Sequence, residues 1–153
     1  MARLKHDMAG NAGVMFVAAE LCRRGVIALP TARNTEGVDL IAAEPRGGKS
    51  VGIQVKTRQH GEKKWLLSKK GESLKSATLF YVFVNLGLPG AVAEFHVVPS
   101  AVVARTLKRG HRVWLATPGR NGRPHKDSAL RAFFDLDSAY RDNWEALGLS
   151  LVP

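Results

Sequence analysis

Three polar side chains stand where a half-buried strand would not want them. Asp39 lies near the start of the run Val38–Ala43, and Gln54 and Lys56 lie within the run Val51–Thr57. The break between the runs, Pro45-Arg46-Gly47-Gly48, is short and rich in turn residues, so the two read as a β-hairpin. Residues two apart on a strand share a face, which puts Gln54 and Lys56 on one side and Val51, Ile53 and Val55 on the other. An isolated acid or ammonium on a half-buried strand costs free energy unless it is paired or bound to something. An acid, an amide and an ammonium converging across one hairpin can hold a divalent cation and a water beside a phosphate. The competing arrangement is an Asp39–Lys56 ion pair within the sheet, with Gln54 bonded to a loop.

The flanking segments supply what would position such a hairpin. Met8–Arg24 has helical periodicity, with Val14, Val17, Ala18, Leu21 and Cys22 on one face and Gly25 as the stop. Val26–Pro30 reads as a short strand and Thr31–Gly37 as a polar loop entering the hairpin. Thr78–Asn85 (TLFYVFVN) is apolar on both faces, as a central strand should be, and Ala93–Val98 returns as another strand. Pro99 and Ser100 open a helix to about Leu107, with Ser100 as N-cap. Arg112–Ala116 has the look of a short strand. Phe133, Phe134, Leu136, Tyr140, Trp144 and Leu147 suggest a terminal helix packed on the sheet. The expected fold is α/β, with a mixed sheet of about five strands flanked by helices and a single domain over 1–153.

Composition narrows the function. With 153 residues and 45% hydrophobic content, the chain can bury one substantial core. No apolar run approaches the roughly 20 residues of a membrane span. MARLKHDMAG has no hydrophobic signal region. A lone Cys22 can form neither an internal disulfide nor a metal site by itself, and its place on the helix face suggests packing rather than reactivity. A reducing, cytoplasmic location is the expectation. The five histidines are scattered, without H-E-x-x-H or paired-cysteine spacing, and there is no G-x-S-x-G and no P-loop.

Charge is more informative: 23 Lys and Arg against 13 Asp and Glu give +10, an excess that favours a polyanionic partner. It is concentrated in two stretches. The first holds Lys56, Arg58, Lys63, Lys64, Lys69, Lys70 and Lys75, opposed only by Glu62 and Glu72. Trp65 lies in its middle, either as core beneath the loop or as a stacking aromatic. The second runs from Arg105 to Lys126 without an acid and ends in TPGRNGRPHK. That loop, with Arg120 and Arg123, suits phosphate contact or is a solvated surface loop.

The D-x(14)-Q-x-K pattern of Asp39, Gln54 and Lys56, with a leading helix from Gly10 to Gly25, the hairpin and the basic continuation, resembles the PD-(D/E)XK nuclease superfamily in its Q-x-K variant. Holliday-junction-resolvase-like and restriction-endonuclease-like proteins are similar. The resemblance covers about Gly10 to Phe83, with the nuclease-like core extending over about 10–100 and a basic loop and C-terminal helix over 101–153. It implies a restriction-endonuclease-like core and a metal-dependent DNA endonuclease. It also implies catalytic roles for Asp39, Gln54 and Lys56, and Mg²⁺ or Mn²⁺ held by Asp39, Gln54 and the Val55 carbonyl. Lys56 would face the attacking water. Arg58, Lys63, Lys64, Lys69, Lys70, Arg120 and Arg123 would grip nucleic acid, with DNA as the expected partner, and a homodimer would supply two sites for two strands.

One position departs from the superfamily. Its members usually carry a Glu early in the leading helix, about eleven residues before the terminating Gly, where this chain has Val14. The nearest helical carboxylate, Glu20, is six residues on and about 240° around the helix, so it should face elsewhere. The resemblance therefore also admits a catalytically decayed nucleic-acid-binding module on the same fold. A basic protein-interaction domain is the reading outside both.

Overall fold

Ala9, Gly13, Val17 and Leu21 recur every fourth residue and form the buried stripe of the first helix, α1 (His6–Arg23). Gly25 ends it in the left-handed region at φ 84°, a conformation glycine adopts without Cβ strain. In the computed structural model, which describes residues 3–32 and 35–153, strands β1 (Ile27–Pro30), β2 (Leu40–Ala43) and β3 (Ser50–Arg58) follow. Then come β4 (Lys64–Ser68), a 3₁₀ turn at 69–72, β5 (Leu79–Asn85) and β6 (Glu94–Pro99). The second helix, α2 (Ser100–Ala116), strand β7 (Leu130–Phe134) and a 3₁₀ turn at 144–147 complete the chain. Part of the polar loop 31–37, positions 33 and 34, lies outside the described residues.

The main sheet has the order β1-β2-β3-β5-β6. Its pairs are antiparallel except for β3 and β5, which run parallel, Gln54 beside Tyr81 and Lys56 beside Phe83. This is the five-stranded mixed sheet expected from the sequence. Alternation sorts its side chains into two layers. Leu40, Ala42, Ile53, Val55, Val82, Val84 and Val97 face α1, where Val17 and Leu21 pack on them. Tyr81, Phe83 and Val98 face the other way, onto Val103 and Leu107 of α2 and onto Trp65, Leu67 and Phe133 of a separate antiparallel ribbon, β4–β7. Each such fully buried side chain is worth about 1.5–3 kcal/mol relative to exposure. Both faces of the sheet thus carry a packed layer.

α1 approaches β3 closely at Gly13. A Cβ there would fall 1.8 Å from Thr57 Oγ1. Gly13→Ala is expected to destabilise by about 1–3 kcal/mol through overpacking, because the roughly 1 kcal/mol gained in helix propensity does not offset a clash with a β-branched neighbour whose Oγ1 is buried. The denaturation midpoint measures it; an unchanged or raised midpoint would mean that α1 slides freely on β3.

Several expectations from sequence are corrected. Arg112–Ala116 is not a strand but the last turns of α2: Val103, Leu107 and Trp114 continue one helical stripe past the expected end at Leu107. Ser100 is not a cap. As the first helical residue it turns its Oγ to accept from Ser76 N and donate to Ser76 O, both at 2.9 Å. No C-terminal helix forms. Leu130–Phe134 instead alternates, Arg131 and Phe133 inward and Leu130 and Phe134 outward, and pairs with β4. Trp144 and Leu147 cross to the α1 side of the sheet, where Trp144 packs on Phe95 at 5.5 Å. Cys22 is exposed rather than packed, since it lies just past the buried stripe that ends with Leu21. Trp65 is core, 2% exposed, with its indole N–H donating to the Val84 carbonyl at 3.0 Å. No helix among the described residues is long and apolar enough to cross a membrane.

Candidate active site

Leu40 faces α1, so the residue before it, Asp39, faces the opposite side, the one that carries Gln54 and Lys56. The Asp39 N–H donates to the Ile53 carbonyl at 2.8 Å, extending the β2–β3 ladder by one residue. On the entering side, the Thr31 N–H donates to the Asp39 carbonyl at 2.9 Å and its hydroxyl to Val38 O at 2.6 Å. The Asp39 backbone is therefore held from both neighbours.

Its side chain is held as firmly. Asp39 Oδ2 accepts from Gln54 Nε2 at 2.6 Å and from the Val55 backbone N–H at 2.7 Å. The alternative of an Asp39–Lys56 ion pair is not formed. Lys56 has no ion-pair or hydrogen-bond partner among the described residues, and it lines an open cleft of about 410 Å³ with Gln54. Tyr81, Leu67 and Gly71 form the buried part of that cleft, and Glu36 and Lys70 part of its rim. Glu36 Oε1 and Lys70 Nζ face each other at 3.3 Å, both well exposed.

The helix position at issue is filled by hydrocarbon. Val14 is partly buried against the α1-side core. Glu20 pairs with Arg23 at 2.8 Å and with Arg24 at 3.5 Å, away from the cleft. Among the described residues no three His, Cys, Asp or Glu side chains come together as a metal-holding group. Asp39 is thus the carboxylate of the hairpin site.

The cationic residues divide into braced and free ones. Arg58 Nε donates to the His60 carbonyl and Nη1 to the Lys64 carbonyl, each at 2.8 Å, which braces the turn between β3 and β4. Lys63 Nζ donates to Ser138 Oγ, and Lys64 Nζ lies 5.4 Å above the Phe134 ring. Lys69 and Lys70 are exposed, and with Lys108 they line a second groove beside the cleft. Lys108, within the second basic stretch, was not singled out from sequence; α2 brings it there, a juxtaposition that spacing alone does not reveal. Arg120 and Arg123 lie exposed on the loop after α2. That loop is pinned at its far end: His111 Nε2 donates to Asp127 Oδ1 at 2.7 Å, and Trp114 stacks on His125 at 4.0 Å. The His111 bond, with the Ser128 N–H, holds the Asp127 carboxyl below its usual range.

The 69–72 turn that carries Lys69 and Lys70 is itself anchored. Its Glu72 takes an ion pair from Arg131 Nε, a residue only 5% exposed, and Arg131 Nη1 also donates to Ser128 O at 2.7 Å. Ribbon, turn and cleft rim therefore form one mechanical unit.

No family model matches the chain, and no curated protein matches it. A solved structure does. "The structure of a bacterial homing endonuclease: I-Ssp6803I" superposes with a TM-score of 0.54 over 95% of this chain and 94% of that one, at 13% identity. The fold is nuclease-like. At that identity the likeness concerns architecture alone, and the roles of Asp39, Gln54 and Lys56 rest on chemistry and placement.

Proposed function

We propose that the chain is a metal-dependent DNA endonuclease of the PD-(D/E)XK type in its Q-x-K form. The observation that carries this reading is the Asp39–Gln54 pair beside Lys56, which has no partner among the described residues, on an open cleft. The nuclease-like fold and the charge of +10 support it.

The donor set fits a hard cation. Asp39 keeps Oδ1 uncommitted, Gln54 offers an amide oxygen, and the Val55 carbonyl is adjacent. One carboxylate suffices for Mg²⁺ or Mn²⁺ when waters and phosphate oxygens complete the shell. Gln54 now turns its nitrogen to Asp39, so ligation requires a half-turn of the amide. When bound, the cation lowers the pKa of a coordinated water and offsets charge building on the phosphate. Lys56 would donate to the attacking water or to a non-bridging phosphate oxygen and so fix the line of attack. The water oxygen bonds to phosphorus and one ester P–O bond breaks, leaving a phosphomonoester and a hydroxyl. Lys69, Lys70, Arg120 and Arg123 grip the backbone, with Lys63, Lys64 and Arg58 as inner, partly braced cations. A homodimer would supply a site for each strand of a duplex.

A second reading has its own observation. With Val14 partly buried against the core and Glu20 tied to arginines, the chain is alternatively a binding module whose site has decayed.

Cleavage of labelled duplex, single-stranded and branched DNA, with Mg²⁺, Mn²⁺ or chelator, separates the two. Metal-dependent cutting that Asp39→Asn abolishes is the expected result. Binding without cutting, with cutting restored by Val14→Glu, would replace the enzyme by the binding module. Neither binding nor cutting would remove both and leave a basic protein-interaction domain.

A further inference from the structure

Tyr81 is the one residue of the run Leu79–Val84 that carries a hydroxyl. Its ring is 2% exposed and stacks on Phe83 with centroids 5.6 Å apart and planes 10° from parallel. A phenylalanine would satisfy that packing, as Phe83 itself does one pair along the strand. The hydroxyl is an added desolvation cost, and buried tyrosine hydroxyls usually find a partner. This one has none among the described residues. It is not sealed in the core either, for Tyr81 lines the same cleft as Gln54 and Lys56, and it is the β5 neighbour of Gln54.

The surroundings keep that hydroxyl open. A Cβ at Gly71 would sit 3.7 Å from it, and also 2.7 Å from Leu107 Cδ1. Gly71 and Tyr81 thus line the same part of the cleft, and position 71 sets no side chain beside the hydroxyl. Burial raises the phenol pKa, so it stays a protonated donor throughout the neutral range. A neutral donor on a rigid ring, in a cleft that also carries the Gln54 amide, the Lys56 and Lys70 ammoniums and the Ser68 and Ser73 hydroxyls, with the Glu36 carboxylate drawn to Lys70, is suited to an anionic oxygen.

We infer that the Tyr81 hydroxyl donates a hydrogen bond to a phosphate oxygen of nucleic acid held in the cleft, beside the phosphate that Lys56 engages. This rests on the nuclease reading for its effect on rate, but the contact itself requires only that nucleic acid occupy the cleft. Tyr81 is then a substrate-contacting residue that the D…Q-x-K pattern does not contain.

The test is Tyr81→Phe, which keeps the ring and its stack. Thermal melting should stay close to wild type, and rates are compared below both midpoints and per folded molecule. With cleavable DNA and Mg²⁺, single-turnover cleavage at sub-saturating protein should fall roughly 10- to 100-fold, the range for loss of one hydrogen bond to a charged group. Wild-type rates in Tyr81→Phe would overturn the proposal while leaving the nuclease reading intact. If wild type binds DNA without cutting it, the nuclease reading fails separately. The hydroxyl is then read from affinity, where a loss of several-fold supports the contact and an unchanged Kd overturns it. No DNA binding by wild type overturns both.

Discussion

Lys56→Ala is expected to lower the cleavage rate about 10²–10⁴-fold while changing DNA affinity by no more than a few-fold. The large effect on rate follows from geometry. Lys56 shares a face with Gln54 and the Asp39 carboxylate, and no other group among the described residues holds its ammonium. The small effect on affinity follows from number, since Lys56 is one cation among 23 and phosphate contacts contribute roughly additively through counterion release. Folding should be little affected, because no ion pair is broken and no buried partner is orphaned. Lys70→Ala is the informative companion. Its ammonium is exposed at the cleft rim, so its loss should weaken binding and flatten the salt dependence without a comparable loss in single-turnover rate. Single-turnover cleavage beside equilibrium binding at two salt concentrations measures both. A Lys56→Ala protein cutting at more than a tenth of the wild-type rate would remove Lys56 from the chemistry.

Asp135→Ala should cost about 3–5 kcal/mol of stability. Asp135 is 4% exposed, and its carboxylate collects three donors. His96 Nδ1 reaches Oδ2 at 2.5 Å, Ala139 N reaches Oδ1 at 2.8 Å and Tyr140 N reaches Oδ2 at 3.1 Å. Removing the acceptor leaves a fully buried imidazole and two backbone N–H groups unsatisfied, each worth roughly 1–3 kcal/mol, partly relieved by entering water. His96 has no slack to re-pair: its Nε2 is already buried without a partner among the described residues, and its ring packs against Trp65 at 5.1 Å. For a chain of this length the cost corresponds to a drop in Tm of roughly 6–20 °C. Far-UV circular dichroism during heating reads it, and a shift under about 3 °C would show the network to be dispensable.

Much of the architecture was legible because it is written in local periodicity. The helix stripe of α1, the hairpin and the both-faced apolar strand β5 each declare themselves within a dozen residues. Asp39 and Gln54 were also legible, since polar residues on an otherwise apolar hairpin stand out from their background. The rest depends on partners distant in sequence. Lys64–Ser68 alternates like a strand, but its cations suggest a loop until β7 is known to lie beside it. Phe133, Trp144 and Leu147 look like one helical face, yet the first packs with the ribbon and the other two on the α1 side. Aromatic content registers burial without saying in which layer. Tyr81 was hidden for the opposite reason: inside a hydrocarbon run, one hydroxyl looks like noise until the cleft it borders is seen. Arg58 shows the converse, a cation in a basic stretch whose guanidinium braces a turn.

The path of the last segment bears on when the molecule can become itself during synthesis. Val97 N donates to Tyr140 O, and Asp142 N to Phe95 O, so residues 140–142 cover the outer edge of β6. Trp144 then fills the α1-side layer, its ring beneath the Arg24 guanidinium at 5.1 Å, and Val152 N bonds back to Arg24 O. While those residues are still within the ribosomal tunnel, the sheet has an open edge and the layer beneath α1 lacks its indole. The nascent chain can form α1, the hairpin and β5, but cannot close them. Completion is therefore a late, post-emergence event, and until then the exposed strand edge is a site for chaperone capture or mispairing.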